Sequence, residues 1–225
     1  MYSVRLPLQV NANMRPVIEK RFRILAHISN QTRKRAKHLL SKLKHDELYQ
    51  QMLQEYIRLK KLNSEDKETE ADIRRLKKAL NETREAIGLT KSGLETYAAV
   101  MQRRYKKNLS SHQVQAEVSH IWRGVEAVLF GDGSDIHYKK EREFRTIPGK
   151  SAKNGAVIHF DGNKNERGAG CYVTWNRLTI PVKYGTAKAD MPDGKNYLNE
   201  ALSSGLIKYC EIERLWFHSG YRYYV

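Results

Sequence analysis

Apolar residues recur every three or four positions from Arg15 to Phe130, and every second position after Asp135. These are the repeats of helix and of strand. Only one alternating segment precedes the helical stretch: Val4, Leu6, Leu8 and Val10. A lone strand is not stable in water, so this one has to pair with the C-terminal strands. The chain therefore reads as α+β, with a helical domain inserted after the first strand of a discontinuous antiparallel β domain. The boundaries are residues 1–12, 13–134 and 135–225.

The first helix spans about Arg15 to Lys44, with Ile18, Phe22, Leu25, Ala36, Leu39, Leu40 and Leu43 on one stripe. Ser29 and Thr32 break that stripe with small side chains. The second runs from Asp46 to Leu62, through Tyr49, Met52, Leu53, Tyr56 and Ile57. Asn63 to Asp66 caps the third, which carries Ile73, Leu76, Leu80 and Ile87 and stops at Gly88. The fourth starts after Thr90 and runs through Leu94, Tyr97, Val100 and Met101 to Lys107. The fifth, Ser111 to Phe130, opens with a capping box of Ser110 and Gln113. Five or six strands follow. Turns are expected at Asp161-Gly162, Asn176-Arg177 and Ser219-Gly220. Leu178, Ile180, Val182 and Tyr184 alternate, and a short helical stretch is expected around Asn196 to Leu202. Trp122, Trp175 and Trp216 read as core, and so do Cys171 and Cys210, which lack metal-ligand spacing.

The formal net charge is +16, and both halves are basic. Residues 15–44 hold ten Lys or Arg against one acid, Glu19. A helix with an apolar stripe on one side and dense positive charge on the other suits a polyanion, and a nucleic-acid backbone is the obvious one. The expected backbone contacts are Arg23, Arg33, Lys34, Lys37 and Lys44, joined by Arg103, Arg104, Lys106 and Lys107 after the fourth helix. The plain alternative is a solvated basic face. Tyr138, Lys139, Lys140, Lys150, Lys153 and Arg177 mix cations, aromatic surface and loops, as RNA contacts do. No apolar run approaches the roughly 18 residues of a membrane span, so no membrane partner is expected. The acids are scattered over helix surfaces and turns, and no histidine falls in a catalytic pattern. No catalytic or metal-binding residue is expected in this chain.

Several blocks have a family character. They are Ile121-Trp122-Arg123-Gly124-Val125-Glu126, Leu129-Phe130-Gly131-Asp132-Gly133 and Ile136-His137-Tyr138-Lys139-Lys140. Gly149 to Gly155, Trp175 to Lys183, Tyr209 to Arg214 and Tyr221 to Val225 follow in order. Together they resemble the TnpB (OrfB) proteins of bacterial insertion sequences, transposon-associated RNA-guided DNA endonucleases related to the compact type V CRISPR effectors.

The resemblance implies a wedge β-barrel (OB-like) interrupted by a helical recognition domain. It implies binding of a guide RNA, of the duplex motif flanking the target (TAM or PAM) and of the RNA–DNA heteroduplex. Lys91, Ser92 and Thr96 open the fourth helix with short polar groups suited to a major groove and are the candidates for that motif. In the family a RuvC nuclease domain with three acidic ligands, a magnesium requirement and a zinc ribbon follow the barrel. Those carboxylates and cysteines are not among these 225 residues, so a RuvC domain in the same or another chain is an implied partner. The resemblance places the protein in the bacterial cytoplasm, on the nucleoid when DNA-bound. Two further readings stay open: a non-catalytic RNA-guided repressor, and a stand-alone binder of structured RNA.

Overall fold

The structure is a computed structural model that describes residues 4–62, 66–131, 133–149, 151, 153–160, 171–183, 204 and 207–225. Its helices are α1 (Met14–Lys44), α2 (Glu47–Leu62), α3 (Lys67–Ala86), α4 (Lys91–Arg104) and α5 (Ser111–Phe130). Its strands are β1 (Thr146–Ile147), β2 (Ala156–Phe160), β3 (Cys171–Trp175), β4 (Leu178–Pro181), β5 (Ile212–Phe217) and β6 (Gly220–Tyr224). The class is α+β, with two three-stranded antiparallel sheets ordered β1-β5-β6 and β2-β3-β4.

The N-terminal segment lies between the sheets. Leu6 and Val225 exchange backbone hydrogen bonds of 2.8 and 2.9 Å, and the Leu8 amide donates to Tyr223. On its other side the Gln9 amide donates to Pro181, and the Lys183 amide donates to Pro7. Residues 6–9 thus join β6 to the end of β4. Among the described residues the ladder reads β1-β5-β6-(6–9)-β4-β3-β2, with no ladder pairs closing β1 to β2. The alternating segment is stabilised by strands more than 170 positions away, as its sequence requires.

Contacts divide the chain into two compact units. The first comprises 1–29, 99–117 and 139–225. Its core holds Ile18, Phe22 and Leu25 of α1 with Leu109, Val114, Ile147, Val173, Trp175, Ile180, Val182 and Ile212. Ser29 donates to Glu117 at 2.6 Å inside it. Two arginines stitch this core. Arg21 donates to the carbonyls of Trp175 and Asn176 at 2.7 and 2.8 Å, its guanidinium 4.3 Å from the Trp175 ring centroid. Burial pushes Arg21 down to about 10, still charged at neutral pH. Arg214 donates to the Phe144 and Glu141 carbonyls and pairs with Glu19.

The second unit comprises 30–98 and 118–138. It buries Ala36, Leu39, Leu40 and Leu43 with Tyr49, Leu80, Leu89, Leu94, Ile121, Val125 and Ile136. Asp46 caps α2 and Asp66 caps α3 through side-chain acceptors. Gly88, at φ +77°, ends α3, a conformation that costs glycine little. In the first unit Ser110 and Gln113 form the expected reciprocal cap of α5.

Some expectations need correction. Trp216 is 68% exposed rather than core. Tyr97, Val100 and Ile57 are also exposed. Helix α4 ends at Arg104, three residues early, because the Tyr105 amide turns back to Gln102 and Asn108 to Tyr105. The Asp161-Gly162 turn, Tyr184, the helix expected at 196–202 and Lys150 lie outside the described residues.

Both cysteines are free and buried. Burial pushes the Cys171 thiol from 9.0 up to about 11 and raises Cys210. A raised folded-state value contributes stability that is full below about pH 9 and lost as pH climbs through about 11. Tyr223, raised by burial and by Glu19, acts in the same direction above pH 10.0. The urea midpoint is therefore expected to fall between pH 8 and pH 10.5, by less in a Cys171→Ala, Cys210→Ala variant. An equal fall in both proteins would remove the thiols from this account.

Candidate nucleic-acid interface

The structure sorts the basic residues into two groups. On α1, Arg21 is consumed by the fold, as described. Arg33 is also buried, which corrects its assignment to the polar face. It stands four residues after Ser29 and three before Ala36, at the edge of the apolar stripe. Arg23, Lys34 and Lys44 are exposed, as are Lys20, Arg35 and Lys42. They form no ion pair among the described residues.

Lys37 is partly occupied. Its ammonium meets Asp135 at 2.6 Å and stands 5.3 Å from the Tyr138 ring centroid, within the second unit. The hydrogen bond from Lys37 holds Asp135 below the usual carboxylate range, helped by the Ile136 amide. The same contact raises Lys37. Tyr138 is exposed on this small cluster.

At the start of α4, Thr90 caps the helix by accepting from the Gly93 amide at 2.9 Å. Lys91, Ser92 and Thr96 are all exposed there. A Cβ on Gly93 would meet the Gly88 carbonyl oxygen at 2.4 Å, so this close turn requires glycine. In the first unit Arg103, Arg104, Lys106 and Lys107 form an exposed run across the end of α4 and the turn after it. Lys139, Lys140 and Lys153 are exposed in loops of the same unit. The Lys140 amide donates to Glu143, and Lys139 lies 5.9 Å from the Phe144 ring centroid.

Arg177 is the most informative of these positions. The β3–β4 connection is the two-residue turn Asn176-Arg177, with φ of 39° and 63°. Two residues at positive φ make a turn that favours Asn followed by Gly. Arginine at the second position costs about 1 kcal/mol against glycine. Its side chain is exposed, and it forms no ion pair among the described residues. Strain retained for an exposed cation points to a use outside the fold. Arg177→Gly is expected to raise stability by about 0.5–1 kcal/mol, read from thermal unfolding. A loss of stability would mean that the arginine supports the hairpin itself.

The sequence reading missed the aromatic surface. Tyr172 is exposed, with its ring stacked on His159 at 4.8 Å between centroids, and His159 bonds Thr174 at 2.7 Å. Trp216 meets Tyr221 edge-on at 4.9 Å. The signal for Tyr172 was its place between buried Cys171 and Val173 on an alternating strand.

Among the described residues no group of three or more His, Cys, Asp or Glu stands together as a metal site would. No described helix is long and apolar enough to cross a membrane. The exposed cations, flexible side chains on rigid helix ends and turns, can neutralise phosphates without reading bases. No protein-family model matches the chain, and no curated protein is significantly similar to it.

Proposed function

We propose that the chain is the guide-RNA and target-DNA recognition part of a TnpB-like RNA-guided DNA endonuclease. On this reading it belongs to the wedge and recognition domains, and the open seven-membered ladder is the wedge's β domain. The observation that carries the proposal is the insertion. Residues 6–9 complete a sheet built from the C-terminal third of the chain, and five helices stand between them in sequence. That order, the family-like blocks and the charge of +16 support one reading together.

Each group of exposed residues has a role on this reading. Lys34, Lys44 and Arg23 grip the backbone of the heteroduplex, and Arg103, Arg104, Lys106 and Lys107 extend the grip. Lys37 joins them from its place beside Asp135. The start of α4 presents Lys91, Ser92 and Thr96 to the flanking duplex. Tyr138, Lys139, Lys140, Lys153 and Arg177 contact the guide RNA. Base pairing supplies sequence choice, and the protein supplies shape and charge. Cleavage belongs to a magnesium-dependent RuvC domain in the same or another chain.

The test is the RNA that the chain selects. Produced together with its own flanking DNA, the protein is purified and its bound RNA sequenced. The proposal expects one folded RNA from beside its own gene, far above its share of total RNA. Bound RNA in proportion to cellular abundance overturns it.

A further inference from the structure

Trp216 has the highest fractional exposure of the large apolar side chains among the described residues, at 68%. It is not a loose side chain. It sits on β5 directly across from Tyr221 of β6, and the two rings meet at 77° with centroids 4.9 Å apart. Tyr221 is itself fixed. The buried Arg214 guanidinium lies 4.7 Å from its ring centroid, and Arg15 donates to its carbonyl oxygen at 3.2 Å. The indole is therefore held in a set plane while most of its surface meets water.

The surroundings are cationic. Tyr221 lines an open cleft with Lys140, Glu141, Arg142, Glu19 and Arg214. Glu19 is neutralised there by Arg214 and accepts from Tyr223 at 2.8 Å. That leaves Lys140, Arg142 and the adjacent Arg15 against Glu141 and the neighbouring Glu143, whose carboxylate accepts from the Lys140 amide. A rigid aromatic face beside several cations suits a flat, apolar, negatively flanked ligand.

We propose that Trp216 and Tyr221 form a stacking platform for an unpaired nucleobase, with Arg15, Lys140 and Arg142 taking the neighbouring phosphates. The inference deepens the nucleic-acid reading above. It adds that the first unit holds at least one base out of any duplex. Stacking requires no base identity and no 2′-hydroxyl, so the platform accepts single-stranded RNA and DNA alike. A base inside a duplex cannot reach it, because both its faces are already covered.

The test uses the intact chain with single-stranded U12 and dT12 and with a 12-base-pair duplex. Both single strands are expected to quench tryptophan fluorescence and to shield it from acrylamide. Trp175 is fully buried and Trp122 is half-buried, so the Trp216 signal is the difference between the parent and Trp216→Ala. Trp216→Ala is expected to weaken single-strand binding about 5- to 150-fold. It should leave the slope of affinity against salt unchanged, because no charge is removed. Duplex binding should not move, and Trp216→Phe should restore most of the loss. Equal weakening for duplex and single strand, or no weakening, overturns the platform. So does a concentration-dependent dimer abolished by Trp216→Ala, which would give this face to a second copy. The outcomes separate from those of the proposed function: random bound RNA with a working platform sinks only the guide reading, and selected RNA with an indifferent Trp216 sinks only the platform.

Discussion

Arg214→Ala is expected to lower stability by about 3–5 kcal/mol, the range for breaking a buried ion pair from one side. Arg214 is 2% exposed. Its Nε donates to the Phe144 carbonyl at 3.0 Å, one terminal nitrogen donates to the Glu141 carbonyl at 2.6 Å, and the other meets Glu19. Its guanidinium also lies 4.3 Å from the Phe22 ring centroid. Truncation would take the donor from the Phe144 carbonyl, leave the Glu141 carbonyl with the Phe144 amide, and leave Glu19 with Tyr223 as its remaining side-chain donor. Lysine should not rescue the fold, because one ammonium cannot reach three acceptors spread over a planar fork. Glu19→Gln should cost less, and the double variant less than the sum, because the two share one interaction. Urea unfolding reads all of these. A loss below about 1 kcal/mol for Arg214→Ala, the worth of an exposed pair, would contradict the buried network.

Removing the exposed charges of α1 should do the opposite: leave the fold intact and cost binding. Lys34, Arg35 and Lys44 are exposed, belong to one unit and carry no ion pair among the described residues. Each phosphate contact contributes about 0.7–0.9 to the slope of log affinity against log salt. At about 0.15 M salt that is roughly fourfold to sixfold per contact. Converting all three to Gln is expected to weaken nucleic-acid binding about 60- to 200-fold and to flatten the slope by about two to three. All sequences should be affected alike, as contacts to phosphates alone require. The unfolding temperature should stay within about 1–2 °C of the parent, as for ordinary surface changes. A loss confined to one DNA sequence would mean that α1 reads bases.

The architecture was legible where pattern alone decides. The alternating Val4-to-Val10 segment had to find a sheet, and Leu6 and Leu8 bond to Val225 and Tyr223. The α1 stripe is buried at every position named from its spacing. Caps at Asp66 and Ser110 followed from side-chain chemistry close in sequence. What failed depended on tertiary cover. Trp216 lies on the same β5 face as buried Ile212 and Arg214, so alternation placed it in the core. Periodicity says which way a side chain points, but not where the covering helix stops.

The cations show the same limit. Glu19 looked like a lone acid lost in a basic helix, whereas it is there for Arg214. Arg21, Arg33 and Arg214 count toward the net charge, yet all three are buried. Composition gives the total charge, while only packing divides it between grip and scaffold. The strain at Arg177 could be suspected from an Asn-Arg turn where Asn-Gly is favoured, but only φ of 63° makes it an argument.

On the proposed reading this basic α+β chain holds a folded guide RNA. The most direct measurement is its affinity, at about 0.15 M salt, for the folded RNA transcribed beside its gene, in competition with an unrelated RNA of equal length. A preference of more than about tenfold for the folded RNA is expected, well above what backbone charge alone can distinguish. Equal affinity for the two would contradict it, leaving a protein that grips any polyanion.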